Sequence, residues 1–226
     1  MRYSGGKGKI AAKLAAEILK LPHVGVIEPF CGAFSMTVQL QPTQAFDLSQ
    51  PVITLANAVR GGWRPPTEVS EQLYRDCASR KDEVGDPLIA FVGHCTFGGK
   101  WYGGLARGHK RQREPVRAAA ETLVRRVLAC PNTEFRCGSY RDVVIPPRAL
   151  VYCDPPYAGT TNGYAVSTFN HDAFWNWVRE HSAKSQIVVS EYAAPSDFRA
   201  IFTLDCATNV RRLDFSRRQE KLFIYG

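Results

Sequence analysis

The chain has 226 residues, 45% of them hydrophobic, which is enough to build one sizeable core and argues against a disordered protein. No apolar run approaches the roughly 20 residues that a membrane span requires, and the first residues, "MRYSGGKGKI", lack the apolar stretch of a signal peptide, so we expect a soluble, intracellular protein. The formal net charge of +8 favours a polyanionic partner such as nucleic acid, although basic surfaces are often merely solvated.

The first part of the sequence predicts a helix followed by a βαβ unit. In "KIAAKLAAEILKL", Ile10, Leu14 and Ile18 recur at fourfold spacing before Pro22, which indicates an amphipathic helix. The run "HVGVIEPF" predicts a short strand that is broken by Pro29. "CGAFSMTVQL" then predicts a turn into a helix, and "TQAFDLSQ" predicts a second strand before the helix "PVITLANAV".

The segment 63–131 is predicted to be a mainly helical lobe, inserted between the two parts of a core domain, 1–62 and 132–226. It begins near "RGGWRPP", where glycine and proline interrupt regular structure. Its helical patterns surround one glycine- and aromatic-rich island, "TFGGKWYGGLARGHKRQR". Eight Lys and Arg residues lie between 100 and 126 against two glutamates, so most of the positive charge is concentrated there.

The C-terminal part predicts further strands around one helix. "TEFRCGSY", "RALVYCD", "SQIVVSEY", "ATNVRRLDF" and "KLFIYG" are strand candidates, and Asn170 can cap the helix "HDAFWNWVREHSAK". Strands that alternate with helices predict an α/β fold with a mostly parallel sheet, covered on both faces, that binds ligands outside the carboxyl ends of its strands. The seven cysteines are scattered without CxxC spacing, so we expect reduced core thiols and no metal.

The stretch "VYCDPPYAG" places an acid, two prolines and a tyrosine at the end of a predicted buried strand. Proline fixes φ and lacks an N–H, so Asp154-Pro155-Pro156 should leave the sheet as a stiff arch. The Asp154 carboxylate and main-chain carbonyls can accept hydrogen bonds from a planar amine, while Tyr157 offers a flat surface to an aromatic ring. Together they suit an amino group on a nucleobase. Alternatively, the segment only ends a strand, with Asp154 capping nearby amides and Tyr157 packing.

The arch suggests a chemistry that needs no metal. An exocyclic base amine is a poor nucleophile because its lone pair is delocalised into the ring. Two acceptors that draw on its two hydrogens favour a pyramidal nitrogen with an exposed lone pair. If the electrophile is already activated, as a methyl group on a sulfonium is, alignment and electrostatics suffice.

A cofactor pocket beside the arch could come from "VIEPFCGAF". Gly32 lets the backbone approach a ligand at a strand-to-helix turn. Asp47, nineteen residues after Glu28, ends the next predicted strand, where a carboxylate can bind ribose hydroxyls. Each signal is weak alone, because Gly32 could serve only a tight turn and Asp47 only a helix cap.

Taken in order, these segments resemble the DNA adenine methylase (Dam) family, the D12 class of N6-adenine-specific DNA methyltransferases. That family carries an N-terminal "KWAGGK"-like segment, "EPFxGxG", an "ADIN"-like acidic strand end, a target-recognition region and "DPPY". The counterparts here are "RYSGGK" (2–7), "EPFCGAF" (28–34), "AFDLSQ" (45–50), "CTFGGKWYGGLARG" (95–108) and "YCDPPY" (152–157). "DPPY" alone is shared with other amino-methylating enzymes, but the ordered set is far more specific.

The resemblance implies a Rossmann-like methyltransferase sheet with an inserted, mainly helical DNA-recognition lobe. It implies methyl transfer from S-adenosylmethionine to the N6 amino group of adenine in double-stranded DNA, after the base is flipped out of the duplex. The implied catalytic residues are Asp154, Pro155, Pro156 and Tyr157. The implied cofactor-binding residues are Tyr3, Lys7, Glu28, Phe30, Gly32, Ala33, Asp47, Tyr140 and Asp154.

Two positions depart from the family pattern. Tyr3 stands where tryptophan is usual, a change that keeps a stacking face. Phe34 replaces the last glycine of "GxG" and adds a ring near the cofactor turn, which leaves the cofactor geometry open.

The basic island is the predicted DNA contact. Its glycines let the main chain follow a groove, its cations can meet phosphates or guanine edges, and its aromatic rings can wedge or stack. The candidate DNA-binding residues are Lys100, Trp101, Tyr102, Arg107, Lys110, Arg111 and Arg113. For the two rings the alternative is packing within the lobe, and for each cation it is solvation.

Two other functions stay open on the sequence. One is an RNA base-amine methyltransferase, which can share "DPPY" but would be expected to lack the inserted lobe. The other is a catalytically silent, cofactor-dependent DNA-binding protein in which Phe34 prevents productive cofactor placement. By resemblance we expect a monomer in the cytoplasm of a bacterium, or a phage-encoded protein acting in the host cytoplasm.

Overall fold

One mixed sheet organises the protein. The computed structural model describes residues 6–96, 99–108, 114–158, 169–206 and 218–226. The described strands are β1 (Val26–Glu28), β2 (Gln44–Asp47), β3 (Glu134–Cys137), β4 (Leu150–Cys153), β5 (Gln186–Glu191), β6 (Phe198–Cys206) and β7 (Arg218–Tyr225). They lie side by side in the order β3-β2-β1-β4-β5-β7-β6.

The strand directions are those of a Rossmann-like sheet. β1 to β5 run parallel, whereas β7 runs antiparallel to both of its neighbours, β5 and β6. The chain progresses outward from β1 to β3 on one side and from β4 onward on the other, so the order reverses between β1 and β4. Such a switch point opens a crevice at the carboxyl ends of the two strands. The predicted α/β, mostly parallel, Rossmann-like fold is confirmed.

The helices pack on both faces of this sheet. They are α1 (Ala11–Ile18), α2 (Thr37–Leu40), α3 (Gln50–Arg60), α4 (Glu71–Ser79), α5 (Pro87–His94), α6 (Pro115–Leu128) and α7 (His171–Ser182). Ser70 and Asp86 cap α4 and α5, and the predicted cap Asn170 accepts a hydrogen bond of 2.9 Å from the Ala173 N–H at the start of α7. These caps satisfy amide groups that the first turn of a helix leaves without partners.

Strand β4 shows why the central strands appear in the sequence as continuous apolar runs. All four of its residues are buried. Leu150 and Tyr152 pack in the same cluster as α1, whereas Val151 and Cys153 pack with α7 on the opposite face. Successive side chains of a strand point to opposite faces, so a strand covered on both sides must be apolar throughout. Burial of each large side chain contributes roughly 1.5–3 kcal/mol, which holds even the short strands in place.

Residues of the range 63–131 share a core with the sheet. Leu123 and Val127 of α6 belong to the same buried cluster as α3 and Phe135 of β3, and Trp63 packs against Phe91 of α5. The helix α4 contributes to a smaller cluster around Cys77, Ile89 and Val92. The division into 1–62 with 132–226 and 63–131 stays a prediction.

The C-terminal strands differ in part from the sequence prediction. "KLFIYG" lies in β7 as predicted, but the strand predicted for "ATNVRRLDF" (207–215) lies outside the described residues. β6 occupies residues 198–206, which were not predicted as a strand. It pairs only with β7 within the described sheet, and half-exposed or exposed residues interrupt its apolar pattern, so its periodicity is weak.

Cysteine thiols, clusters of metal-binding side chains and apolar helices are the other features of interest in the described residues. Five described cysteines are buried free thiols, whereas Cys137 is exposed. Within the described ranges no cluster of three or more His, Cys, Asp or Glu side chains could hold a metal ion. No helix in the same ranges is sufficiently long and apolar to cross a membrane.

Candidate active site

The acidic arch of residues 154–157 lies at the carboxyl end of β4, beside the carboxyl end of β1. β1 and β4 are hydrogen-bonded neighbours, with Ile27 opposite Val151, so Glu28 and Asp154 emerge at the same edge. This edge is the switch point of the sheet. The topology therefore joins "EPF" and "DPPY", which are far apart in the sequence.

Lys7 reaches this edge from the start of α1. Its carbonyl accepts hydrogen bonds of 2.8 Å from the N–H groups of Ile10 and Ala11, which fixes the turn that leads into the helix. Its ammonium Nζ lies 2.9 Å from Asp154 Oδ1 and donates a hydrogen bond to the Tyr157 phenol. The Lys7 side chain is only 7% exposed and that of Asp154 is 18% exposed. The structure therefore places Lys7 directly on the arch.

Glu220 of β7 and Ser190 of β5 also contact the arch, and sequence reasoning missed both. Glu220 of β7 is buried, and its Oε1 accepts hydrogen bonds from the hydroxyls of Tyr157 and Ser190 and lies 3.5 Å from Lys7 Nζ. A signal was available: Glu220 lies two residues before Leu222 and four before Ile224, on the buried face of the strand. An acid in that alternation is costly unless it has partners.

Burial and neighbouring opposite charges have opposing effects on the pKa values of Lys7 and Asp154. Burial by itself lowers the pKa of Lys7, but the carboxylates of Asp154 and Glu220 raise the pKa above its ordinary value. Burial raises the pKa of Asp154, Lys7 opposes that rise, and Glu220 adds to it. Burial, followed by the nearby carboxylates, raises the pKa of Tyr157. At neutral pH Lys7 is therefore a cation and Tyr157 a neutral hydrogen-bond donor.

Glu28 is a buried carboxyl with spare hydrogen-bonding capacity. It is 1% exposed, and its Oε2 has no hydrogen-bond partner among the described residues, although the Thr37 hydroxyl is nearby. Burial raises its pKa well above the ordinary value, and the charges of Asp154 and Asp47 add to that rise. An unsatisfied buried polar atom is costly, and ligand binding is one way to satisfy it.

The turn after β1 is tied to the end of β2. The Gly32 N–H donates a 2.8 Å hydrogen bond to Asp47 Oδ2, and the Ser49 N–H donates one of 2.8 Å to Oδ1. Gly32 has a φ of +46°, which glycine adopts without a steric cost. Burial raises the pKa of Asp47 to about 6, and the two N–H groups oppose the shift. Asp47 thus supports the turn while each of its oxygens keeps a further lone pair.

Phe34 has a positive φ, which is typical of glycine, yet its side chain is buried in the core. Its φ is +63°, a conformation that costs a non-glycine residue about 1–2 kcal/mol. Its ring is fully buried and contacts Phe135 edge-on at 5.2 Å between centroids. The added ring therefore fills the core under α3. The carbonyl of its neighbour Ala33 accepts a 2.8 Å hydrogen bond from Arg126 of α6, which links the turn to the inserted segment.

Aromatic rings form one wall of the crevice edge. Phe30 stacks on Tyr140 at 5.8 Å, and both contact Phe174 of α7. On the other side of the arch, Tyr157 meets Tyr192 edge-on at 4.6 Å.

Glu191 at the end of β5 also holds the arch and was not predicted. Its Oε2 accepts a 3.3 Å hydrogen bond from the Ala158 N–H, and its Oε1 accepts one of 2.8 Å from the Tyr192 N–H. Burial raises the pKa of Glu191 to about 7, against those two hydrogen bonds. Glu191 ends a mostly apolar strand, and Asp154 directly follows another, so an acid at a strand end is the signal that could have identified it.

The two aromatic residues predicted to meet DNA pack against α5. The Trp101 ring contacts His94 at 5.1 Å and Tyr102 at 4.9 Å, and the Tyr102 hydroxyl donates a 2.9 Å hydrogen bond to the Ile89 carbonyl. A Cβ on Gly93 would lie 2.4 Å from the Trp101 ring. Both rings stay half-buried, so packing accounts for much of their surface.

The predicted DNA-binding cations that the structure describes lie on the surface. Lys100 is exposed, and Arg107 is 78% exposed in an ion pair of 2.7 Å with Glu71. Such surface pairs contribute about 0–1 kcal/mol and break easily. The remaining candidates, and one predicted cofactor contact, lie outside the described residues; they are Lys110, Arg111, Arg113 and Tyr3.

Comparison with known proteins bears out the predicted resemblance. Residues 101–199 match the family model of the D12 class N6 adenine-specific DNA methyltransferases, a stretch that includes the arch, α7 and β5. No curated protein sequence matches the chain.

Among solved structures, SMU.472, provisionally described as a methyltransferase and complexed with SAH, is 12% identical to this chain, with a TM-score of 0.38. The alignment covers 98% of this chain and 54% of that protein, so this chain spans about half its length. A likeness this weak carries no functional argument.

Proposed function

From the D12 class match and the site geometry, we propose that this chain transfers a methyl group from S-adenosylmethionine to the N6 amino group of adenine in double-stranded DNA, after base flipping. One observation carries the proposal: the arch of residues 154–157 stands at the switch point, next to an unsatisfied buried carboxyl at Glu28 and the glycine turn bonded to Asp47. An amine acceptor and a candidate cofactor crevice therefore share one edge.

The residues around the turn fit S-adenosylmethionine. Glu28 Oε2 lacks a partner and can accept from a charged amino group, and Asp47 keeps lone pairs for ribose hydroxyls. Phe34 is packed in the core and leaves the turn clear, which disfavours the silent alternative. The residues that would hold the cofactor are Tyr3, Lys7, Glu28, Phe30, Gly32, Ala33, Asp47, Tyr140 and Asp154. When bound, the cofactor supplies a methyl group on a positively charged sulfur, an electrophile that needs no further activation.

The arch would then orient the target amine. Asp154 and a main-chain carbonyl of the diproline segment accept the two amine hydrogens, which directs the nitrogen lone pair at the electrophile. Pro155 and Pro156 keep the segment stiff, and Tyr157 contacts the base. Lys7 carries its proton at neutral pH, so it positions Asp154 and does not act as a base.

The lobe would supply the energy for extruding the base, a few kcal/mol. Lys100 and Arg107 are exposed at its surface, and the Arg107–Glu71 pair can be exchanged for a phosphate contact at little cost. We also propose contacts from Lys110, Arg111 and Arg113. Trp101 and Tyr102 would act mainly by holding this surface in shape. We expect the division into a core, 1–62 and 132–226, and a lobe, 63–131, and a monomeric enzyme.

A labelled-methyl assay tests the proposal. Purified protein is incubated with tritiated S-adenosylmethionine and either unmethylated genomic DNA or total RNA, and the products are digested to nucleosides. We expect label in N6-methyl-2′-deoxyadenosine from DNA. The Asp154→Asn variant should lose about a thousandfold in turnover at saturating cofactor.

Three outcomes would contradict it. Label at cytosine N4 would reassign the base, and label in RNA in place of DNA would favour the RNA enzyme. DNA binding without methyl transfer at saturating cofactor would favour the silent DNA-binding protein. Sequencing the DNA of a methylation-deficient host after expression would identify the recognition site.

A further inference from the structure

Glu220 reaches the arch because β7 runs antiparallel to its neighbours in the sheet. β7 lies antiparallel between β5 and β6, with Leu222 opposite Ser190 and Lys221 opposite Glu191. The beginning of β7 therefore lies at the edge where β1, β4 and β5 end. A parallel strand in its place would present its last residues there instead.

The surroundings of Glu220 can stabilise a buried negative charge. Its side chain is 5% exposed, and its Oε1 accepts from two hydroxyls, Ser190 and Tyr157, while Lys7 Nζ lies 3.5 Å away. A buried carboxylate is tolerated only when hydrogen bonds and an opposite charge compensate for lost hydration. These partners do so, and two of them, Lys7 and Tyr157, also contact or adjoin Asp154.

One ammonium is thus shared by two carboxylates. Lys7 Nζ is 2.9 Å from Asp154, which follows β4, and 3.5 Å from Glu220 in β7, and β5 lies between these two strands. Glu220 therefore fixes the position of the ammonium that pairs with Asp154. Glu220 also holds the Tyr157 hydroxyl, which sets the ring position.

We propose that Glu220 is a positioning residue for the methyl transfer proposed above: it holds the Lys7 ammonium and the Tyr157 hydroxyl in place, so that Asp154 and the tyrosine ring keep the geometry that the target amine requires. Ser190 supports it by donating to the same oxygen. The inference rests on the proposed function for its catalytic consequence, but the arrangement of Lys7 can be tested without any methyl transfer.

The test compares Glu220→Gln, which keeps the shape and removes the charge, with Gln219→Ala on the same strand. Gln219 is exposed and its side chain contacts only Asp205 among the described hydrogen bonds. We expect Glu220→Gln to lower kcat about tenfold with KM for DNA within about twofold, because the arch is misaligned in the transition state more than in binding. Glu220→Asp should recover part of kcat, and Gln219→Ala should match the wild type.

The independent readout is the titration of Lys7, followed by the ¹³Cε resonance of labelled lysine and assigned by its loss in Lys7→Arg. The charged and titratable groups that face Lys7 are Asp154, Tyr157 and Glu220, with Glu191 acting on Asp154 and Glu220 from β5. Removal of the Glu220 charge should lower the pKa of Lys7 in the Glu220→Gln variant.

An unchanged Lys7 titration would overturn the inference, and so would a fall in kcat that Gln219→Ala shares. If Glu220→Gln does not fold, Ser190→Ala replaces it, with a smaller fall in kcat expected and an unchanged value counting against the inference. If the wild type methylates no DNA, the proposed function fails, while the Lys7 titration still decides whether Glu220 positions the arch.

Discussion

Lys7 Nζ lies 2.9 Å from Asp154 Oδ1, so the residue that leads into the first helix is ion-paired with the residue that follows the fourth strand. Both side chains are largely removed from water. The pair therefore closes the N-terminal segment onto the carboxyl edge of the sheet, and the site is incomplete until the chain has folded around it.

Loss of Lys7 should destabilise the protein. In Lys7→Met, Asp154 and Glu220 remain buried without their shared cation, and we expect the unfolding free energy at neutral pH to fall by roughly 3 kcal/mol. Urea denaturation followed by circular dichroism measures it. Lys9→Met, which removes an exposed cation from the same segment, is the control. Equal stabilities of the two variants would show that the buried pair is not stabilising.

Glu191 should make stability fall as the pH rises. Its pKa is raised from 4.5 to about 7 in the folded state, so its contribution is fully present below pH 4.5 and is lost as the pH rises to about 7. The Glu191→Gln variant cannot titrate there, so its unfolding free energy relative to wild type should rise by up to about 3 kcal/mol over that range. Urea titrations at several pH values test this. The exposed Glu180→Gln serves as control, and parallel curves for Glu191→Gln and wild type would refute the prediction.

Gly93 should tolerate no side chain. A Cβ there would lie 2.4 Å from the Trp101 ring, so the ring must move and lose contact with His94. We expect Gly93→Ala to lower the unfolding free energy by about 1–3 kcal/mol and to shift tryptophan emission to longer wavelength. Gly85→Ala, where no atom lies within 4 Å of the new Cβ, should change neither. Unchanged emission in Gly93→Ala would mean that the ring is not packed on the helix.

At Phe34, replacement by glycine should destabilise the protein less than replacement by alanine, which is the reverse of the usual order. Both variants lose the buried ring, at about 3–5 kcal/mol, but glycine also relieves the φ of +63°. We expect Phe34→Gly to be more stable than Phe34→Ala by about 1 kcal/mol in thermal or urea unfolding. At Phe135, which lies in β3, alanine should be the more stable of the two. The same order at both positions would argue against strain at Phe34.

Local sequence signals determined the elements and the chemistry of the arch. Fourfold apolar spacing identified α1, the cap Asn170 identified the start of α7, and continuous apolar runs identified the buried strands. The residues of "DPPY" carry their chemistry in themselves, because proline restricts its own backbone and aspartate is an acceptor wherever it stands. The family match over residues 101–199 agrees with that pattern.

Only the tertiary structure decided which side chains meet. Glu220 and Ser190 join Lys7 at the arch because β7 is antiparallel to its neighbours in the sheet. Local sequence periodicity does not determine the order or direction of strands. The Phe34 ring lies in the core because the left-handed turn after β1 directs it there, although the sequence showed only a missing glycine. Periodicity arises from contacts with neighbours three or four residues away, whereas partners in a parallel sheet depend on crossover connections that bring distant segments to one edge.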